Sequence, residues 1–142
     1  MKKYNFISGL PRSGKTQLSN TLRKYLESNN KTVDWFNADI VREQFNDWDF
    51  SINGRIRQSI RMKELASNSK SDYVICDFIA PLPIMRDNVN PDVLIWVDTI
   101  TEGRFDDTNK LFVPPEYFDI RVTEQDSEYW SSKILPILLD CQ

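Results

Sequence analysis

The run Gly9-Leu10-Pro11-Arg12-Ser13-Gly14-Lys15-Thr16 constrains this chain more than any other segment. It fits G-x-x-x-x-G-K-[ST] at every fixed position. Glycine lets a backbone curl until successive N–H groups face inward on an anion. Lysine at that point supplies charge to the β and γ phosphates of a nucleotide, and the hydroxyl after it can ligate Mg²⁺. A following helix adds its positive N-terminal end to the same site. All eight residues, Gly9 through Thr16, are therefore candidate ATP contacts, with Lys15 also a candidate catalytic group and Thr16 a candidate metal ligand.

The flanking pattern supplies the strand and the helix that such a loop joins. Residues 4–8 read as a short strand, and residues 15–28 as a helix with Leu18, Leu22, Tyr25 and Leu26 at helical spacing. Residues 28–31 break it, and residues 32–36 are β-branched and aromatic enough for a strand. Residues 39–45 and 55–67 read as helices, the second with Ile56, Ile60 and Leu65 or Ala66 on its apolar side. Residues 72–76 and 92–97 are nearly all apolar, as buried parallel strands are. Residues 119–122 form a weaker strand candidate, and residues 128–139 a terminal helix interrupted or kinked near Pro136. Alternating strands and helices predict an α/β, three-layer P-loop NTPase fold with a mainly parallel sheet and helices on both faces. Ligands in such sheets bind beyond the carboxyl ends of the strands. With 142 residues and no repeat or linker, residues 1–142 read as one domain.

Composition narrows the chemistry. A net charge of −3 gives no general reason to expect nucleic acid as a partner. The absence of histidine excludes His-ligated zinc and imidazole catalysis, so a general base must be a carboxylate, lysine, tyrosine or cysteine. Cys76 lies in an apolar run and Cys141 is penultimate, so free thiols in a cytoplasmic chain are expected rather than a disulfide. The start of the chain is basic without a sustained apolar stretch, and the longest apolar run, residues 93–97, is too short to cross a bilayer. No membrane partner is expected, and a homodimer is left open.

The residues just after the strands carry the remaining signals. Asp39 would lie at the carboxyl edge of the sheet near the loop, as a base for an acceptor hydroxyl or an organiser of Mg²⁺. The alternative is that it merely caps the next helix. Arg42, one turn on, can grip an anionic acceptor. Arg55, Arg57 and Arg61 could bind a sulfate or phosphate group, or form a solvated face with Arg61 paired to Glu64. Asp77, ending an apolar strand, is either a Mg²⁺ partner or a strand-end turn residue.

Taken together these segments resemble the adenylylsulfate kinase (APS kinase) family. The loop fits, Asn37-Ala38-Asp39-Ile40-Val41-Arg42 resembles the family's D-G-D-x-x-R, and Phe50-Ser51 to Arg55 its G-F-S-x-x-D-R. The strand leading to Ile79-Ala80-Pro81 resembles its strand ending I-S-P. Phe112-Val113-Pro114-Pro115-Glu116 with Asp119-Ile120-Arg121-Val122 resembles its Y-E-x-P-x…D-I-x-V stretch. The resemblance implies transfer of the ATP γ-phosphoryl to the 3′-hydroxyl of adenosine 5′-phosphosulfate (APS), with ATP and Mg²⁺ as cofactors, in sulfate assimilation. It implies Asp39 as base, Arg42 and Arg55 on the phosphosulfate, and Phe50 stacked on adenine, with Gln58, Ile79 and Phe112 lining the acceptor pocket.

The chain departs from that pattern at named places. Asn37 stands where the family has its first acid, Gln58 where it has asparagine, Ala80 where it has serine, and Asp77 where a small residue is usual. Asp77 is expected to restore the charge missing at Asn37. The segment between the fourth strand and Phe112 is short, leaving Arg104 to cover the ATP phosphates and Lys110 the acceptor side. A trimmed form of this kind suits a minimal, for instance viral, member. Two other readings stay open: a related P-loop kinase acting on another nucleotide, nucleoside or metabolite hydroxyl, and a nucleotide-binding module without catalysis.

Overall fold

The computed structural model describes residues 3–9, 13–100 and 111–140. Strand β1 (Lys3–Gly9) runs through the middle of a parallel sheet, between β3 (Tyr73–Asp77) and β4 (Val93–Val97). β2 (Val33–Asn37) pairs beyond β3 and β5 (Ile120–Val122) beyond β4, giving the order β2-β3-β1-β4-β5. Among the described residues five helices are defined: α1 (Lys15–Ser28), α2 (Ala38–Phe45), α3 (Ile52–Asn68), α4 (Pro83–Val89) and α5 (Ser127–Asp140).

The alternation of side chains along β3 divides the core. Tyr73 and Ile75 pack with Leu18, Leu22 and Leu26 of α1 and with Ile134 and Leu138 of α5. Val74 and Cys76 point the other way, onto Met62 and Ala66 of α3 and Met85 and Val89 of α4. Helices therefore cover both faces, and β3 is buried along its whole length. That double covering is why its sequence is an unbroken apolar run instead of an alternating one. The fold is the expected α/β three-layer arrangement, and every strand pairing is parallel. Cys76 is buried in the core and is in no disulfide among the described residues. No helix among the described residues is long and apolar enough to cross a membrane.

Three local expectations are corrected, and one helix is added. Helix α3 starts at Ile52, ahead of Arg55, because the Ser51 side chain accepts the Gly54 N–H at 3.1 Å and caps the helix there. Ile60 is 47% exposed, whereas Ile56, Leu65 and buried Ala66 pack on the core as expected, beside buried Arg55, Gln58, Ser59 and Met62. Helix α5 continues across Pro136, whose ring is exposed; the carbonyl of Ser132 that it cannot bond belongs to another exposed residue, where water can satisfy it. Helix α4 had no expectation at all. Pro83 in its first turn and a left-handed Asn90 (φ 44) after its end are the local signals for it.

Candidate active site

The phosphate loop leaves the sheet at Gly9, where a Cβ would stand 2.4 Å from the carbonyl oxygen of Val97. Only glycine lets the backbone pass that close to β4. Gly14 takes φ 102 and turns the chain into α1, so the positive end of that helix faces the loop. Leu10, Pro11 and Arg12 lie outside the described residues. Ser13 is buried, and its carbonyl accepts the Thr99 hydroxyl at 2.6 Å. Lys15 is buried too. Burial pushes its pKa down, while the charges of Asp77 and then Asp39 push it up.

Parallel register sets Asn37, the last residue of β2, level with Asp77, the last of β3, beside Ile7 of β1. Thr16 Oγ1 donates to Asp77 Oδ2 at 3.1 Å, and Asn37 Nδ2 donates to the same oxygen at 3.0 Å and to Thr16 Oγ1 at 3.3 Å. Asp77 is therefore no exposed turn residue: it is 2% exposed and joined to the loop's threonine. Burial pushes its carboxyl pKa up, and Lys15 beside it pulls the other way.

Asn37, not Asp39, is the cap of α2: its Oδ1 accepts the N–H groups of Asp39 at 3.0 Å and Ile40 at 3.3 Å. The capping role weighed for Asp39 is taken by its neighbour. The Asp39 carboxylate is left exposed in the first turn of α2, near enough for its charge to act on Lys15 and Arg42.

The arginines have a first task that spacing did not show. Arg42 is buried and donates from one nitrogen to the carbonyls of Asp47 (3.0 Å) and Asp49 (3.2 Å). Arg55 donates to the carbonyl of Phe50 at 2.8 Å. Both guanidinium groups lie over the Phe50 ring, 4.4 and 5.5 Å from its centroid, while the ring stays 52% exposed. Arg57 and Arg61 both pair with Asp47, at 2.8 and 2.9 Å, and Arg57 also reaches Asp49 at 3.1 Å. Those bonds hold the Asp47 carboxyl well below the usual range. The partner expected for Arg61, Glu64, is replaced by an aspartate in the α2–α3 connection. Gln58 donates to the carbonyl of Ala38 at 3.1 Å and accepts from Arg61 at 2.8 Å, so it braces the start of α2.

Beyond β3, Ile79 is half-buried and Ala80 adopts φ 42, a left-handed conformation unusual for alanine. Buried Arg86 of α4 donates to the carbonyls of Ala80 (2.9 Å) and Val113 (2.6 Å) and lies 5.8 Å from the Phe112 ring. Val113 N–H donates to the Pro81 carbonyl at 2.7 Å. Arg86 thus clamps the segment carrying Phe112 onto the loop carrying Ile79; Arg104 and Lys110, earlier in that segment, lie outside the described residues. An Arg86→Ala variant strips both carbonyls of a donor and is expected to lose about 1–3 kcal/mol of stability in denaturant titration. An unchanged midpoint would show that the clamp does nothing. Arg86 was not singled out in the sequence because a buried arginine in a helix reads there like any surface one.

A shallow cleft open to solvent adjoins the loop between Gly14, Gln17, Val122, Gln125 and Trp130. Gln125 Nε2 approaches Thr99 Oγ1 at 3.4 Å, linking this connection of β5 and α5 to Ser13. This wall is a second feature with no motif of its own.

A family model described as chromatin associated protein KTI12 matches residues 6–85, which hold the loop, Asn37, Asp39, Arg42, Arg55, Asp77 and Ile79. No curated protein matches the chain. Among solved structures, APE1195 superposes with a TM-score of 0.86 at 19% identity, over 99% of this chain and 96% of that one. Mycobacterium tuberculosis APS kinase CysC, in complex with AMPPNP and APS, gives 0.80 at 17% identity, over 98% of each chain. Shikimate kinase from Acinetobacter baumannii, in complex with shikimate, gives 0.66 at 14% identity, over 99% of this chain and 94% of that one. Likeness at these identities establishes a P-loop kinase fold. The APS kinase resemblance is upheld at that level, and the family whose model matches is a different one.

Proposed function

The chain belongs to the KTI12 family, and from that premise we propose that it is a Mg·ATP-dependent phosphotransferase acting on the hydroxyl of a small anionic acceptor. The observation that carries the proposal is the convergence of Lys15, Thr16, Asn37 and Asp77 at the ends of parallel strands β2 and β3, with Asp39 at their rim. Residues 1–142 act in this reading as a single kinase domain.

The residues present fit a hard divalent cation. Thr16 Oγ1 and the Asp77 carboxylate are adjacent oxygen donors, with the exposed Asp39 carboxylate near the same lysine. Mg²⁺ takes one or two protein carboxylates and completes its shell with phosphate and water, so no larger acidic cluster is required. When bound, it would offset the negative charge that develops on the transferred phosphoryl group.

The remaining work falls to the chain. Lys15 and the N–H groups of the loop hold the phosphates, with Gly14 and the start of α1 turned toward them. Asp39 accepts the proton of the attacking hydroxyl as the new P–O bond forms and the bond to the β-phosphate oxygen breaks. The acceptor lies along α2 and the α2–α3 connection, its ring on the exposed face of Phe50 and its anionic end toward Arg42 and Arg55. Gln58, Ile79 and Phe112 form the flanks. Most of the rate enhancement would come from positioning and charge compensation.

APS is the first acceptor to test, because the site pairs an aromatic platform with two guanidinium groups. Labelled ATP is offered with APS, shikimate and a panel of nucleosides and nucleotides. Transfer to APS supports the finer reading, and transfer to another hydroxyl reassigns the acceptor. ATP binding with no transfer to any hydroxyl and no hydrolysis would overturn the kinase reading. It would favour a nucleotide-binding module, a role that the family's description as chromatin associated leaves room for.

A further inference from the structure

The geometry points to Asn37 as a positioning residue that ties the phosphate-binding half of the site to the acceptor half. This inference rests on the phosphotransferase reading above and gives Asn37, named there only as part of the convergence, a role of its own. A carboxamide has a donor end and an acceptor end, and here both are used. The amide nitrogen donates to Asp77 Oδ2 at 3.0 Å and Thr16 Oγ1 at 3.3 Å, on the nucleotide side. The oxygen accepts from the N–H groups of Asp39 and Ile40 at 3.0 and 3.3 Å, fixing the first turn of the helix that carries Asp39. One side chain thereby sets where the attacking-side carboxylate stands relative to the phosphate loop.

No other residue type of similar size does both jobs. Aspartate at this position would still cap α2, but it accepts only, and it would face the Asp77 carboxylate across a hydrogen-bond distance. Serine would cap as well but is too short to span to Asp77. The identity of position 37 is thus coupled to that of position 77, one amide against one carboxylate.

Melting without Mg²⁺ and transfer assays with it, on Asn37→Ser, Asn37→Asp and the exchanged pair Asn37→Asp/Asp77→Asn, test the tie. Asn37→Ser keeps the cap and should hold its KM for ATP within about threefold while kcat falls roughly tenfold, since misplacing a reacting group is costly. Asn37→Asp should melt about 4 °C below the parent, and the exchanged pair should regain most of that loss. Full turnover in Asn37→Ser would overturn the tie, as would parental melting of Asn37→Asp. An exchanged pair that melts below Asn37→Asp would show that the two positions are not partners. If the parent transfers no phosphoryl group, the functional reading fails and the link between the two halves with it. Recovery in the melting cycle would then establish the Asn37–Asp77 pair as a structural one only.

Discussion

Replacing Lys15 by alanine is expected to lower phosphoryl transfer by roughly 10²–10³-fold, the scale on which single preorganised charges at a reacting centre act. The size follows from the surroundings of Lys15. The ammonium is held in a buried slot at the start of α1, where fields are screened less than at a surface, and burial alone already pushes its pKa down. Asp77 and then Asp39 oppose that shift with their charges. Arginine should not rescue the loss, because a planar fork does not fit a slot formed around a point charge. The check is turnover of labelled ATP in the parent, Lys15→Ala and Lys15→Arg, with melting curves to confirm that each variant is folded. Unchanged turnover in Lys15→Ala would sink the mechanism.

The fold was legible because its signals are local and redundant. The loop Gly9 to Thr16 announces a strand before it and a helix after it, and α1 has the bounds that residues 15–28 suggested. The apolar runs at residues 72–76 and 92–97 have the composition that a doubly covered sheet requires, and they form strands Tyr73–Asp77 and Val93–Val97. Helix α4 was not foreseen because two prolines around Leu82 read as loop, although proline in the first turn is also a helix start.

The candidate site was legible one residue at a time, and its partnerships were not. Asp39 and Asn37 stand two residues apart, and either could have capped α2; which one does depends on a backbone conformation that no spacing reveals. Arg57 and Arg61 looked like partners for their own helix face, yet Asp47 lies across from both because Arg42 folds the α2–α3 connection back. Arg86 and Phe112 are far apart in sequence and meet only through the clamp on Ala80 and Val113. Contacts of this kind belong to tertiary structure, and a single sequence carries no record of them.

The Asp39→Asn variant is expected to lose roughly 10²–10⁴-fold in kcat, the range associated with removing a general base. Its stability should hardly move, and that combination separates it from every structural explanation. Asp39 is exposed, and the cap of its helix is supplied by the oxygen of Asn37. Exchanging a carboxylate for an amide at a surface position in the first helical turn removes only a weak interaction with the helix dipole, about 0.3–1 kcal/mol. ATP affinity should fall far less than kcat if the Thr16–Asp77 pair carries the metal side. The measurements are kcat and KM for ATP and acceptor separately, with the melting temperature of the ligand-free chain. A parental kcat would move the base to another carboxylate, and Asp77, buried behind the loop threonine, is poorly placed to meet an incoming hydroxyl. A large loss of ATP affinity at parental kcat would instead make Asp39 a binding group for the metal–nucleotide complex. In the proposed mechanism Asp39, its helix held by the Asn37 cap, would be the exposed carboxylate that meets the substrate hydroxyl.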